Sequence, residues 1–132
     1  MARRIINTPD APGSPADVMG SFPFSQAVVA AGLVFVAGQG PIRSSDGSVV
    51  GTTIQEQTRQ CLHNIETILM AAGSSMDKVV NATFFLRDAS DFAGMNEEWV
   101  RWFPVDPPAR QGARHWLDVE GLMIALAVVA EA

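Results

Sequence analysis

With 132 residues, 48% of them hydrophobic, the chain has the size and apolar content of one domain with a real core, spanning residues 1–132. Nine basic residues stand against 14 acidic ones for a net charge of −5. No window gathers Lys or Arg into a stripe that could neutralise a run of phosphates, so nucleic acid is a poor partner. The single cysteine excludes an internal disulfide. No apolar run approaches the roughly 20 residues a bilayer crossing needs, and the opening MARRIINTPDAPG lacks the apolar stretch of a signal peptide. No membrane partner and a cytoplasmic location are the expectations.

In chain order, residues 7–23 hold four prolines among small polar residues and read as an irregular arm. From Gln26 to Ala37 two short apolar runs break at Ala31-Gly32, which predicts a hairpin, and Asp46-Gly47 marks another turn. Between Thr52 and Ala72 the apolar positions Ile54, Cys61, Leu62, Ile65, Ile68 and Leu69 recur at steps of three and four. That spacing predicts an amphipathic helix, capped by Thr52 or Thr53 and ended by Gly73. The β-branched and aromatic run KVVNATFFLRD predicts a strand. Phe92, Met95, Trp99, Trp102 and Phe103 then give a second helix over Asp88 to Phe103, stopped by Pro104. RQGARHWL and LMIALAVVA predict two final strands around the DVEG turn. The order β-β-α-β-α-β-β describes an α+β sheet with two helices on one face.

The last strand is apolar on both alternating faces, with Leu122, Ile124, Leu126 and Val128 on one and Met123, Ala125, Ala127 and Val129 on the other. Two helices cover one face, so the other is expected to pack on further copies of the chain in a closed homo-oligomer.

Several chemistries are excluded. The chain has no nucleophile elbow, no Walker loop and no Cys/His cluster at zinc spacing. Cys61 falls on the apolar helix face and reads as core. His63 reads as helix surface, and His115 as a packing or hydrogen-bonding strand residue. Arg110, two residues after a proline pair, reads from the residues alone first as a structural ion pair at a strand start and second as an anion-binding fork.

FPFSQAVVAAGLVFVAGQGP, AAGSSMDKVVNATFFLRDASDFAGMNEEW and PPARQG, in this order and spacing, resemble the Rid family of reactive intermediate deaminases, the YjgF-like proteins. The similarity covers nearly the whole chain and is most specific at Gly38-Gln39 with Pro41, at LRDASDF and at Pro108-Ala109-Arg110. It implies a chorismate-mutase-like fold in a homotrimer with sites in the clefts between subunits. It further implies hydrolysis of small 2-imino or 2-enamino acids to 2-oxo acids and ammonia without a cofactor. Arg110 stands where the family binds the substrate carboxylate, a task suited to a planar, permanently charged fork. Gly112 would leave room beside it, or mark a bulge. Gly38 and Gln39 lie where the family's backbone turns near the ligand. Phe24 replaces a frequent cleft tyrosine, with an ordinary core role as its alternative. Asn96 matches a frequent asparagine of the second helix, with a cap or surface role as its alternative.

The main departure is in the last strand. Deaminating members read close to I-E-I-E where this chain has Ile124-Ala125-Leu126-Ala127, so both glutamates are missing. The first is proposed in those members to activate the attacking water, and Ala125 removes that acid/base group. Asp118, Glu120, Glu131 and His115 are the nearest titratable residues in sequence, and none stands out. A carboxylate-binding protein without hydrolysis, or a variant for a larger imine or enamine, is therefore the alternative reading.

Overall fold

Strands form where the β-branched runs lie. The computed structural model describes residues 2–13 and 23–132. Its elements are β1 (Arg4–Ile6), β2 (Ala27–Ala30), β3 (Leu33–Gln39), α1 (Ile54–Ala71), β4 (Val79–Leu86), α2 (Phe92–Trp102), β5 (Ala109–Arg114) and β6 (Ile124–Glu131). The predicted β-β-α-β-α-β-β order is present with one strand added at the start. β1 is too short to signal itself in sequence and is held by antiparallel pairing with β2. Of the expected arm, residues 14–22 lie outside the described residues. Residues 7–13 form turns pinned by buried Gln26, which accepts from the Thr8 amide at 2.6 Å and donates to the carbonyls of Thr8, Ala11 and Pro12 at 2.9–3.0 Å.

The six strands order as β1-β2-β3-β6-β4-β5. All neighbours are antiparallel except β4 and β5, whose parallel pairing follows from the α2 crossover between them. The β2-β3 hairpin turns at Ala31 (φ 54°) and Gly32 (φ 77°), a pair of left-handed residues matching the right-handed strand twist. In β3 one extra residue is taken up between the Val36–Val128 and Gln39–Leu126 pairs. This bulge returns Gln39 to the buried side and leaves Gly38 exposed.

α1 is set by a capping box: Thr53 Oγ1 accepts from the Glu56 amide at 3.2 Å, and Glu56 Oε1 accepts from the Thr53 amide at 3.1 Å. Gly73, at φ +83°, follows its end. Both helices pack on one sheet face, α1 across β3 and β6 and against α2. Between them Leu62, Ile65, Ile68, Met95, Ile124 and Leu126 are fully buried. Each such side chain contributes about 1.5–3 kcal/mol relative to exposure. Cys61 is also in this core, as expected, with burial pushing its thiol well up from its ordinary value. The second helix is shorter than predicted, because Ala89–Asp91 form a 3₁₀ turn with Asp88 accepting from the Ser90 amide at 2.9 Å. β5 also stops early, at Arg114, and residues 115–117 leave the ladder.

Opposite the helices, β6 presents Ala125, Ala127 and Val129 beside Phe35 and Phe85, their cross-strand neighbours. No helix of the described residues covers this open face, and Phe35 is 45% exposed. Among the described residues no helix is long and apolar enough to cross a membrane.

Candidate functional site

The candidate residues fall into two groups on opposite sides of the sheet. Arg110 pairs with buried Ala82 across β5 and β4, which turns it toward the helices. There its guanidinium carbon lies 5.0 Å from the Trp99 ring centre, 5.1 Å from Phe84 and 5.5 Å from Phe92. Three π faces attract the cation, which is half-buried against them. The expected structural ion pair is not formed: among the described residues the salt bridges involve Arg43, Arg59 and Arg101. Burial without a carboxylate lowers the Arg110 pKa, and Nη1 is buried with no hydrogen-bond partner. An unmet, buried donor atom on a charged group calls for an acceptor.

Asn96 supplies a complementary atom. It sits within α2, not at a cap, and its Oδ1 is also buried without a partner. Asn96 and Arg110 line one concavity of about 480 Å3 with Val100, Pro107 and Pro108. Rotating the amide would offer a donor instead, so Asn96 can meet either kind of ligand atom.

Gly112 acts differently from the expectation. The space it leaves is filled by Phe84, whose ring any Cβ at residue 112 would overlap. Its pairing with Phe84 is regular, with no bulge. The glycine thus lets Phe84 lie flat over β5 as part of the platform under Arg110. Sequence reading did not assign Phe84, Phe92 and Trp99 to the site; the helical spacing of the last two reads as core.

The second group lies on the open face. Phe24 is 54% exposed and so is not a core residue. With Gly38, Gln39, Gly40, Pro12 and Gly13 it borders a concavity of about 140 Å3. Gly38 and Gly40 also border a larger one of about 430 Å3, walled by Phe85, His115, Trp116, Leu122 and Ala125. Buried polar side chains fix these loops. Asn64 on α1 donates to the carbonyls of Gly40 and Ile42 at 3.1 and 3.0 Å. Gln57 donates to the carbonyls of Gly51 and Gly121 and accepts from the Met123 amide at 2.8 Å. These polar residues on the buried face of α1 were the signal in sequence that the helix also serves the loops. Asp118, Glu120 and Glu131 are exposed, as is His63.

Within one subunit, then, Arg110, Asn96 and Gly112 gather on the helix side of β5, whereas Gly38 lies on the open face, Phe24 borders a concavity with it, and Gln39 is turned to the buried side.

Comparison with known proteins identifies the family. The model of the family described as Endoribonuclease L-PSP matches residues 16–128. A RutC family protein of Pyrococcus abyssi is 42% identical over 110 residues, covering 83% of this chain and 82% of that protein. The chloroplastic Reactive Intermediate Deaminase A of Arabidopsis thaliana is 35% identical over 108 residues, covering 82% of this chain and 54% of that protein. A solved structure of a Rid family protein from Yersinia pestis superposes with a TM-score of 0.86 at 30% identity, over 99% of this chain and 100% of that one. The chain therefore belongs to the Endoribonuclease L-PSP family and, within it, to the Rid and YjgF-like proteins.

Proposed function

We propose that this protein is a Rid-type deaminase that hydrolyses small 2-imino or 2-enamino acids to 2-oxo acids and ammonia, working as a homotrimer. The observation that carries the reading is the unpaired Nη1 of Arg110 beside the unpaired Oδ1 of Asn96 in one concavity. The guanidinium binds the substrate carboxylate with charge-assisted hydrogen bonds strengthened by the aromatic platform. Asn96 accepts from the imine N–H. Holding both ends fixes the C=N carbon for attack and converts part of the entropic barrier into binding. A protonated imine is already electrophilic, so the reading needs no cofactor.

Trimer formation is supported by the separation of the two groups and by the apolar open face. A second copy laid on that face would cover Phe35, Ala127 and Val129. Light scattering at several concentrations is expected to give three times the chain mass; a monomer throughout would remove the shared site. An endoribonuclease role is not favoured, because the net charge is −5 and no basic stripe runs along the chain.

One observation supports a second reading. No carboxylate borders the open-face concavity, where Ala125 stands in place of the family's glutamate. A protein that binds small carboxylates without hydrolysing imines would look the same at Arg110. The deciding experiment follows ammonia and 2-oxo acid release from freshly generated 2-iminopropanoate and 2-iminobutanoate in the wild type, Arg110→Ala and Ala125→Glu. The proposal expects a wild-type rate well above spontaneous hydrolysis that Arg110→Ala abolishes. A wild type at the spontaneous rate, with activity gained in Ala125→Glu, would establish the binding role instead.

A further inference from the structure

The open-face concavity contains a group that the proposed reaction lacks. His115 follows β5, its amide donating to the Leu86 carbonyl at 3.1 Å, and its residue is 8% exposed. Both ring nitrogens are buried and make no hydrogen bond of good geometry. The Leu122 and Met123 backbone lies near the ring without forming a well-aligned bond, and Arg114 shares the wall, so a ligand or water would complete the imidazole's hydrogen bonding. That wall includes Ala125, where the resemblance places water activation, and Gly38, where it places the backbone turn near the ligand.

We propose that His115 is the proton-transferring residue of this site, substituting for the carboxylate absent at Ala125. This rests on the deaminase reading above and extends it to the acid/base step. In the shared cleft, Arg110 of one copy holds the carboxylate while His115 of the next faces the C=N carbon. Neutral imidazole takes a proton from water as the oxygen bonds to that carbon, and the C=N π pair moves to nitrogen to give the carbinolamine. The imidazolium then returns the proton to that nitrogen. The C–N bond breaks as the hydroxyl oxygen forms the C=O, and the hydroxyl proton passes by way of His115 to the departing ammonia. One protonated imine and one water become one 2-oxo acid and one ammonium ion.

The surroundings suit a base at neutral pH. Burial, then the Arg87 charge, lowers the His115 pKa, against a smaller opposing effect from the backbone of Met123 and Leu122. Arg114 borders the same concavity, and among the bordering residues none is acidic. On the flanking segments Asp118 and Glu120 are exposed, and Arg43 pairs with Asp46 across the turn that carries Gly47. Arg87 also positions the wall, donating to the carbonyls of Leu117 and Val119 at 2.9 Å.

The test compares wild type, His115→Gln and the double variant His115→Gln/Ala125→Glu on 2-iminobutanoate. His115→Gln is expected to lower kcat by about 100-fold, the lower end for loss of a general base, with little change in KM. The wild-type kcat should fall as pH drops through a value below the ordinary ~6.5 of histidine, a limb that His115→Gln lacks. The double variant should recover activity, since glutamate restores a base to the same wall. Co-assembled Arg110→Ala and His115→Gln subunits should regain activity at about a quarter of the sites, the fraction pairing two intact residues across a cyclic interface. A wild type at the spontaneous rate sinks the deaminase reading and this inference together. An active wild type whose kcat is flat across the acid range, or an active His115→Gln with the wild-type profile, overturns the role of His115 and leaves the deaminase intact. The wild-type pH profile decides even if His115→Gln does not fold.

Discussion

Replacing Arg110 by methionine separates a structural arginine from a functional one. Three ring contacts at 5.0–5.5 Å favour the cation, each by about 0.5–1 kcal/mol or somewhat more where desolvated. Against this stand the buried, unpartnered Nη1 and the lowered pKa, both signs of a charge held away from water. An unsatisfied buried donor costs about 1–3 kcal/mol. The opposing effects nearly cancel, and a methionine stem would still pack on Phe84 and Trp99. Arg110→Met should therefore change unfolding free energy by no more than about 1 kcal/mol. Losing charge-assisted hydrogen bonds to the substrate carboxylate should instead remove about 2–3 kcal/mol of transition-state binding, roughly 30- to 150-fold in kcat/KM. Urea unfolding at matched chain concentration and initial-rate kinetics on 2-iminobutanoate measure the two sides. The reasoning fails if Arg110→Met unfolds at much lower urea while the remaining folded protein keeps wild-type kcat/KM.

Gly112→Ala should push the Phe84 ring off β5 and destabilise by about 1–3 kcal/mol, the usual cost of overpacking. The same change should raise KM more than it lowers kcat, because it disturbs the platform of the carboxylate anchor; unchanged stability and kinetics would contradict the close approach. Glu98, 3% exposed, binds Arg59 through both oxygens at 3.0 and 3.2 Å and accepts from Trp102 Nε1 at 2.9 Å. Because Arg59 is half exposed, Glu98→Gln should cost about 1.5–2 kcal/mol, the low end for bonds to a charged group. Burial alone would raise the Glu98 pKa, but the bonds from Arg59 and Trp102 and the charges of Arg59 and Arg101 outweigh it and hold it below 4.5. Its stabilisation is therefore full above the unfolded value and lost as pH falls through the lower folded value. A wild-type stability curve over pH 2–5 with the same slope as Glu98→Gln would refute this pairing.

Periodicity alone located both helices, the β2-β3 hairpin and the doubly apolar last strand, since steps of three and four or of two follow directly from backbone geometry. A threonine cap for α1, at Thr52 or Thr53, and the turns at Ala31-Gly32 and Asp46-Gly47 were local chemistry and equally legible; the capping box with Glu56 came from the structure. The resemblance marked Arg110 and, separately, Asn96, with Ala125 as the departure; their shared concavity came from the structure. What tertiary structure decided was facing and satisfaction. Strand register turned Arg110 toward the helices, and the β3 bulge left Gly38 exposed on the open face. The three rings that replace a counter-ion around Arg110 come from β4 and α2, distant in sequence. That Gly112 serves Phe84 depends on a cross-strand contact, and that His115 is buried without a well-formed hydrogen bond depends on where β5 leaves the sheet. A sequence specifies which groups can bond; only packing fixes which of them are left without a partner.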